Sequence, residues 1–305
     1  MKILVLGATG FIGKNLVSRL KADKHEIYMC SKSSGVDITC YDALSKTIRE
    51  IQPEIIFNVA ANVGSLHYVT TYAADVININ IQMALNIYKA VQAECPTAKI
   101  INPLANCAYP ATATIQKEED WLSGPVHQSV FSFANSKRVT YYLSKCYYEQ
   151  YGIKTVNLIF PNTYGPGDSC DPNKTHALNG MIIRMLQTKA KGDEKFVVWG
   201  TGSPIREWTY VEDFVEVLIL AMEIDHMEQP VNVGQQKGYS IAESALLIKR
   251  ACNFKGDIMF DTHYPDGNKI KIMHKNKFAE LFPDFKFYNH QEGIKNTVLY
   301  YESKL

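Results

Sequence analysis

The sequence has almost no net charge. Over 305 residues, 32 Lys and Arg residues oppose 31 Asp and Glu residues. No dense run of one charge sign occurs, so we do not expect a nucleic acid or an anionic membrane surface as a partner. No apolar run is long enough to span a membrane, and the first residues lack the length and cleavage site of a signal peptide. We therefore expect a cytoplasmic protein.

The seven cysteines also lack a recognisable pattern. They are odd in number, are scattered along the chain, and show no CxxC spacing. A disulfide framework or a zinc site would need paired or closely spaced thiols. We expect reduced thiols and no bound metal.

Short apolar runs alternate with stretches of helical periodicity. The runs "KILVLG", "EIYMC", "EIIFNVA", "KIINPLA" and "KTVNLIF" are typical of buried parallel strands, with helix-period segments between them. This alternation predicts an α/β fold, a Rossmann-type doubly wound parallel sheet with a smaller C-terminal lobe. We assign residues 1–165, with a returning segment at about 195–225, to a dinucleotide-binding domain, and 166–194 and 226–305 to a substrate-binding lobe.

A glycine-rich turn follows the first predicted strand. "LVLGATGFIG" places Gly7, Gly10 and Gly13 between that strand and the first helix. Bare backbone there can approach a pyrophosphate at the helix N-terminus. A lone glycine triplet is weak evidence, but its position in a strand–turn–helix context favours dinucleotide binding over an ordinary turn.

The end of the second predicted strand favours NADP over NAD. "YMCSKSS" has no acidic residue to bind a ribose 2′-hydroxyl. Ser31, Lys32 and Ser33 could instead bind a 2′-phosphate, although Lys32 could also be only a solvated surface charge. Asp37 is either an adenine contact or an ordinary turn aspartate.

Several motifs together resemble the extended short-chain dehydrogenase/reductase family. They are "GATGFIG", "NVAANVG", "NCAYP", the lysine of "FANSK", "PNTYGP" and "VVWGTGSPIREWTYVEDF", in the family's order and spacing over nearly the whole chain. Within that family, Cys107, His176 and "WGTGSPIRE" with Arg206 make the chain most similar to the GDP-fucose synthase subfamily. The resemblance implies an NADP(H)-dependent nucleotide-sugar enzyme that epimerises C3 and C5 of a GDP-4-keto-6-deoxy sugar and reduces its 4-keto group.

The resemblance also implies roles for individual residues. Cys107 and His176 would transfer protons beside the keto group, since a thiol and an imidazole titrate near neutral pH. Each residue alone is more often structural, but their joint placement within matching motifs favours function. Arg184 and Arg206 would bind the nucleotide diphosphate. The other implied substrate contacts are Asn162, Trp199 and, less securely, Lys271, which could be only a loop charge.

The implied cofactor contacts extend well beyond the glycine turn. They are Gly7, Thr9, Gly10, Phe11, Ile12, Gly13, Ser31, Lys32, Asp37, Ala60, Lys137, Pro161 and His176.

Two catalytic hydroxyl groups of the family are missing. Phe133 stands at the position of the Tyr that donates a proton to the sugar 4-oxygen, four residues before Lys137, and Ala105 stands at the position of the Ser that shares that oxygen. Losing a general acid costs about 10²–10⁴ in rate, and losing an oxyanion donor about 10²–10³. We therefore expect very slow reduction.

No neighbouring side chain is an obvious substitute for these hydroxyls. Tyr141 and Tyr142 lie about two helical turns beyond Phe133, and Asn106 should point to the opposite side of the chain from Ala105. The two departures fit either a deliberately inactivated enzyme or a natural member that kept epimerisation and lost reduction.

Three other interpretations remain open. The chain could be a 4-epimerase or 4-reductase for another nucleotide sugar, an epimerase without reductase activity, or a non-catalytic cofactor-binding protein. The resemblance also implies a homodimer formed by the helices that carry "FANSK" and "ININIQMALNIYKA".

Overall fold

Six parallel strands form the main sheet of the computed structural model, which describes residues 1–264 and 266–305. Their spatial order is β11-β6-β4-β3-β1-β2, and each adjacent pair is parallel. These strands are β1 (Lys2–Leu6), β2 (Glu26–Cys30), β3 (Ile55–Asn58), β4 (Lys99–Ala105), β6 (Thr155–Phe160) and β11 (Val231–Asn232). The first five coincide with the apolar runs read from the sequence.

Helices precede or follow most of these strands. They are α1 (Phe11–Leu20), α2 (Tyr41–Ile51), α3 (Leu66–Thr71), α4 (Ala73–Glu94), α5 (Phe131–Tyr151), α6 (Ala177–Lys191), α7 (Val211–Leu220), α8 (Ile241–Ala251), α9 (Asn276–Leu281) and α10 (His290–Glu302). None of the helices in the described ranges is both long and apolar enough to cross a membrane.

The main sheet is buried on both faces. Ile3 and Val5 pack into one apolar layer together with α1 and α7, whereas Leu4 and Leu6 pack into the opposite layer with α2 and α4. Alternate residues of β1 thus enter two different cores, which is why the strand reads as a continuous apolar run. The predicted α/β fold with a doubly wound parallel sheet is confirmed.

A third core lies in the C-terminal part of the chain. It is built from α6, α8 and α10 with nearby strands. The remaining strands form small separate sheets, and they are β5 (Ile115–Gln116), β7 (Asn162–Tyr164), β8 (Lys195–Trp199), β9 (Ile205–Arg206), β10 (Trp208–Tyr210), β12 (Tyr239–Ser240), β13 (Asp257–Asp261) and β14 (Ile270–Met273).

Two of these segments bear on the predicted division into lobes. Within 195–225, β8 pairs with β13 outside the main sheet, while α7 packs on the main sheet beside α1. Strand β11, from segment 226–305, occupies the edge of the main sheet next to β6. The boundaries of the two lobes stay a prediction.

Three asparagines form a hydrogen-bonded row across the middle of the main sheet. Asn58, Asn102 and Asn157 belong to β3, β4 and β6, and each is buried. Asn102 accepts from Asn58 Nδ2 at 2.9 Å, and its own Nδ2 lies 2.8 Å from Tyr88 Oη and 3.2 Å from Asn157 Oδ1. Buried polar groups in such a row stabilise the sheet only while all of them are paired.

Replacing Asn102 with Leu should therefore destabilise the protein. Leu has nearly the shape of Asn but leaves Asn58 Nδ2 and Asn157 Oδ1 without their partner, which should lower the free energy of unfolding by about 2–4 kcal/mol. Urea unfolding followed by circular dichroism measures this change. Asn276→Leu, at an exposed position in α9, is the control. Equal midpoints for the two variants would contradict the role given to the row.

Candidate active site

The turn between β1 and α1 has room for backbone only. Gly7 has a φ of +83°, and a Cβ on it would lie 2.6 Å from the Cα of Ala60, on the loop after β3. A Cβ on Gly13 would lie 2.1 Å from the carbonyl oxygen of Gly7, and the Gly10 N-cap of α1 places no side chain over the first amides of the helix. This geometry fits a pyrophosphate bound at the N-terminus of α1.

The turn also lies at the topological switch point of the sheet. The chain passes from β1 to β2 on one side and returns to β3 on the other. In open α/β sheets the carboxyl ends at such a point form the ligand crevice. Gly7 and Ala60, which adjoin one another, therefore both border the expected cofactor site.

Hydroxyl groups at the end of β2 contact the glycine turn. Ser33 Oγ donates to Thr9 Oγ1 at 3.1 Å and lies 3.0 Å from Ser31 Oγ. Ser31 caps the short turn that follows, since its Oγ accepts from the Ser34 amide at 3.2 Å. The structure thus brings three predicted cofactor residues, Thr9, Ser31 and Ser33, together.

Lys32 and Asp37 form an ion pair beside this cluster. Lys32 Nζ lies 3.1 Å from Asp37 Oδ2, and the lysine side chain is 73% exposed. Asp37 Oδ1 also accepts from the Thr39 amide and hydroxyl. Burial raises the pKa of Asp37, but the hydrogen bonds from Thr39 and Lys32 outweigh it and lower the pKa overall. An exposed pair of this kind contributes little stability. Lys32 can therefore leave Asp37 and pair with a phosphate at a small cost in free energy.

The remaining predicted cofactor residues lie along the same edge of the sheet. Phe11 and Ile12 begin α1 and pack partly against the apolar cores. Pro161 is buried between β6 and β7. These positions place all three near the carboxyl edge that carries the glycine turn.

Lys137 connects α5 to the carboxyl end of β4. Its Nζ donates to the carbonyl oxygen of Pro103 at 3.1 Å and lies 5.5 Å from the centre of the Phe133 ring, one helical turn away. Burial lowers the pKa of Lys137 to about 8, and the nearby Cys107 opposes this shift. Ala105 is the last residue of β4, the strand whose Pro103 carbonyl Lys137 contacts.

Cys107 lies in the short 3₁₀ turn Asn106–Ala108 directly after β4. Burial raises the pKa of its thiol, while the positive charges of Lys271 and Lys137 lower it by less. The thiol thus lies close enough to two lysines from different elements to interact with both. At neutral pH it is protonated and can donate a proton.

The two tyrosines that follow Phe133 on α5 have other surroundings. Tyr141 is buried, and its hydroxyl lies 3.3 Å from the carbonyl oxygen of Glu228. Tyr142 is 49% exposed. Asn106 is buried, and its main-chain carbonyl oxygen accepts from Gln116 Nε2 at 3.2 Å, while its side-chain Nδ2 has no hydrogen-bond partner within the described ranges. The tyrosine hydroxyls do not replace the one that Phe133 lacks.

His176 immediately precedes α6 and faces α1. Its ring centre lies 5.4 Å from that of Phe11, so it borders the glycine turn. Its Nδ1 lies 3.1 Å from Oδ2 of Asp168, a buried carboxylate that the sequence analysis did not single out. One third of the His176 side chain is exposed, so part of the ring remains accessible to a ligand.

Arg184 and Trp199 form a stacked pair in the C-terminal part. The guanidinium carbon of Arg184 lies 4.4 Å from the centre of the Trp199 ring, and its Nη1 donates to the carbonyl oxygen of Val197 at 3.1 Å. Tyr264 stacks on Trp199 with ring centres 5.1 Å apart. Trp199 is still 56% exposed, so this group offers both an aromatic surface and a positive charge.

Arg206 and Lys271 lie side by side on paired strands. The parallel register of β9 and β14 aligns Lys271 with Arg206. Burial lowers the pKa of both side chains; the charge of Arg206 lowers that of Lys271 further, although Cys107 raises it. Asn162, on β7, lies 3.5 Å from the carbonyl oxygen of Glu207. The structure thus pairs Lys271 with Arg206 in register.

Glu207 holds this pair of strands in register. Its carboxylate accepts from the amides of Met273 at 2.7 Å, of Gln236 at 3.0 Å and of Gln235. Burial raises its pKa to about 7, although the three amides lower it. A lone Glu beside Arg206 in the sequence gives no sign of these long-range bonds.

Comparison with known proteins agrees with this arrangement. The profile of the NAD dependent epimerase/dehydratase family matches residues 3–234. The GDP-L-fucose synthase of Dictyostelium discoideum is 29% identical over 97% of this chain and 93% of that protein. The GDP-L-colitose synthase of Yersinia pseudotuberculosis is 26% identical over 99% and 98%.

Solved structures give the same result. A GDP-L-fucose synthetase from Naegleria fowleri superposes with a TM-score of 0.90 at 28% identity, over 99% of this chain and 93% of that one. Its NADP-bound structure superposes with a TM-score of 0.86 and the same coverage. The chain belongs to the NAD dependent epimerase/dehydratase family.

Proposed function

We propose that this protein is an NADP-dependent epimerase of a GDP-4-keto-6-deoxy sugar that inverts C3 and C5, and that its reduction of the 4-keto group is impaired. The observation that carries the proposal is the composition of the site. Cys107, His176 and Lys137 are all present, while Ala105 and Phe133 provide no hydroxyl for the keto oxygen. The names of the similar proteins, GDP-L-fucose and GDP-L-colitose synthases, support a GDP-linked sugar.

The proton-transfer groups suit epimerisation. A proton next to a carbonyl is acidic enough for a side chain to remove, and inversion needs a second group to return a proton from the other face. A thiol kept protonated by burial can donate that proton, and the imidazole of His176 can accept one. Lys271, beside Cys107, offers a positive charge to the developing enolate.

The residues that would hold the cofactor fit NADP. The glycine turn has space only for backbone, as a bound pyrophosphate requires, and Lys32 with Ser31 and Ser33 lies where a 2′-phosphate would be placed. When bound, NADPH supplies the hydride for keto reduction. Lys137 would bind the nicotinamide ribose, its role in the family, but no phenol remains for it to activate.

The nucleotide would lie in the C-terminal lobe, for which we keep the boundaries 166–194 and 226–305, with β8 added because it pairs with β13. Arg184 and Arg206 would bind the diphosphate, and Trp199 offers a surface for the base. Asn162 and Lys271 would contact the sugar. A 4-epimerase of another nucleotide sugar would need no pair of proton-transfer groups for C3 and C5, the role that the proposal gives to Cys107 and His176.

We further propose a cytoplasmic homodimer. All seven cysteines are free thiols, as expected in a reducing compartment. Helices α4 and α5 pack together, and Phe131, Tyr142 and Tyr151 of α5 are each roughly half exposed. A second copy would cover these aromatic side chains.

Deuterium uptake from solvent tests the epimerase assignment. In deuterated water, GDP-4-keto-6-deoxymannose should gain deuterium at C3 and C5, as measured by NMR and mass spectrometry. Cys107→Ser and His176→Asn should each slow the uptake by about 10²-fold or more, because each removes a proton-transfer group. Cys40→Ser, at an exposed thiol, is the control. Undiminished uptake in both site variants would refute the assignment.

Restoring the two hydroxyls should restore reduction. Lys137 lies one helical turn from residue 133, so the cation would lower the pKa of a phenol placed there. NADPH oxidation by Ala105→Ser/Phe133→Tyr should exceed that of the unmodified chain by about 10²–10⁴, with the tyrosine giving the larger share. Absorbance at the reduced-nicotinamide band reports the rate.

The control for that experiment is Phe260→Tyr, which adds a phenol at an exposed position of β13, outside the proposed dimer interface. If the double variant folds and binds NADPH but reacts no faster than the starting chain, then either the inferred substrate is wrong or the protein does not derive from a reductase.

Lys32 should select NADPH over NADH. Lys32→Ala should weaken NADPH binding about 5–20-fold, the value of one charge-assisted contact, and leave NADH binding unchanged. Titration followed by intrinsic fluorescence gives both affinities. Lys46→Ala is matched, since Lys46 is 72% exposed and also pairs with a carboxylate. An equal effect on both cofactors would contradict this assignment.

A further inference from the structure

Proton transfer by His176 depends on which ring nitrogen carries its hydrogen. A neutral imidazole has one N–H and one lone pair, and the partner of one nitrogen decides the state of the other. In this protein one nitrogen has a defined partner, because Nδ1 lies 3.1 Å from Oδ2 of Asp168. The same carboxylate oxygen accepts from the backbone amide of His176 at 2.8 Å.

Asp168 is itself held in place by its surroundings. Its Oδ2 also accepts from Asn179 Nδ2 at 2.9 Å and from Thr175 Oγ1 at 3.3 Å, and its carbonyl oxygen accepts from the Tyr301 hydroxyl at 3.1 Å. Asn179 is fully buried, and its Oδ1 accepts from the Gly165 amide at 3.0 Å. The carboxylate therefore cannot turn away from His176 without breaking several bonds.

The carboxylate is an acceptor only. Burial raises the pKa of Asp168, but hydrogen bonds and charge from His176, with the hydrogen bond from Asn179, lower it overall. An ionised carboxylate has no hydrogen to donate, so Nδ1 of a neutral His176 must carry the N–H. The lone pair is then on Nε2, at the opposite side of the ring from Asp168.

We propose that Asp168 is the positioning residue of His176: it fixes the Nδ1–H tautomer and the ring orientation, so that Nε2 is the atom that exchanges a proton with the sugar. This rests on the proposed function for the part that His176 plays in proton transfer. The carboxylate also faces the imidazolium that forms when Nε2 accepts a proton. Asp168 itself exchanges no proton with the substrate.

Imidazole nitrogen NMR tests the tautomer without any substrate. Protein labelled with ¹⁵N-histidine, at a pH where His176 is neutral, should show Nδ1 protonated and Nε2 unprotonated, with the signals assigned by their loss in His176→Asn. In Asp168→Asn the side-chain amide can donate a hydrogen bond as well as accept one. Nδ1 of His176 then no longer has to carry the hydrogen, so the Nε2–H tautomer should become populated. Deuterium uptake by the 4-keto sugar should fall about 10²–10⁴-fold in this variant.

Asp171→Asn is the matched control. Asp171 lies in the same loop, is exposed, and its carboxylate accepts from the Asn173 amide rather than from His176. This variant should keep both the wild-type tautomer and the wild-type uptake. NADPH affinity should be equal in all three proteins, which separates a positioning role from general damage to the fold.

Three results would overturn the proposal: an Nε2–H tautomer in the wild type, an unchanged tautomer in Asp168→Asn, or the same loss in Asp171→Asn. The first needs only the wild-type protein and therefore decides the matter even if Asp168→Asn does not fold. A wild type that takes up no deuterium would contradict the proposed function instead, while the tautomer would still show whether Asp168 orients the ring.

Discussion

The carboxyl end of β4 is the point on which the rest of the site depends. Backbone ladders on both sides fix this strand, because β3 and β6 are parallel to it in a defined register. The pairing with β3 ends at Ile101, so Pro103 lies beyond it, where a missing backbone N–H leaves no gap in that ladder. The carbonyl oxygen of Pro103 is therefore available to Lys137, which ties α5 to the strand.

Because of this contact, the position of Lys137 does not depend on the hydroxyl groups that would carry out reduction. Lys137 is anchored to backbone and does not depend on a phenol to hold it. Phe133 lies within α5 and Ala105 ends β4, so neither the helix nor the strand needs a hydroxyl at these positions. Loss of two oxygens can therefore change which reaction the site supports while its shape is preserved.

The sides of the crevice proposed for the cofactor and for the substrate are built from different chemical groups. The cofactor side is mostly backbone and small residues, where any added side chain would collide. The side proposed for the substrate carries cations on separate elements: Arg184, Arg206 and Lys271. Burial lowers the pKa of each of these side chains. Arg206 and Lys271 also repel one another, so an anionic ligand between them would offset both the loss of solvation and the repulsion.

The sequence predicted the features that are local or periodic. The glycine turn, the five strands with continuous apolar runs and the spacing of residues 133 and 137 on one helix follow from short-range rules. The contacts of Asp168, Glu207 and Tyr264 do not, because each partner lies far along the chain or in a loop without periodicity. The pairing of β8 with β13 was not predicted for the same reason. The strand that lies beside β6 at the edge of the main sheet is β11, whose two residues show no strong strand pattern.

The loop after β3 touches the loop that precedes His176. The Ser65 amide donates to the carbonyl oxygen of Asn173 at 2.7 Å, and a Cβ on Gly64 would lie only 2.3 Å from that oxygen. A ligand that fixes either loop would therefore restrict the other through this contact. A dinucleotide that immobilises the first loop lowers the entropic cost of immobilising the second, so the cofactor and the sugar nucleotide should bind with positive cooperativity even without a change of shape.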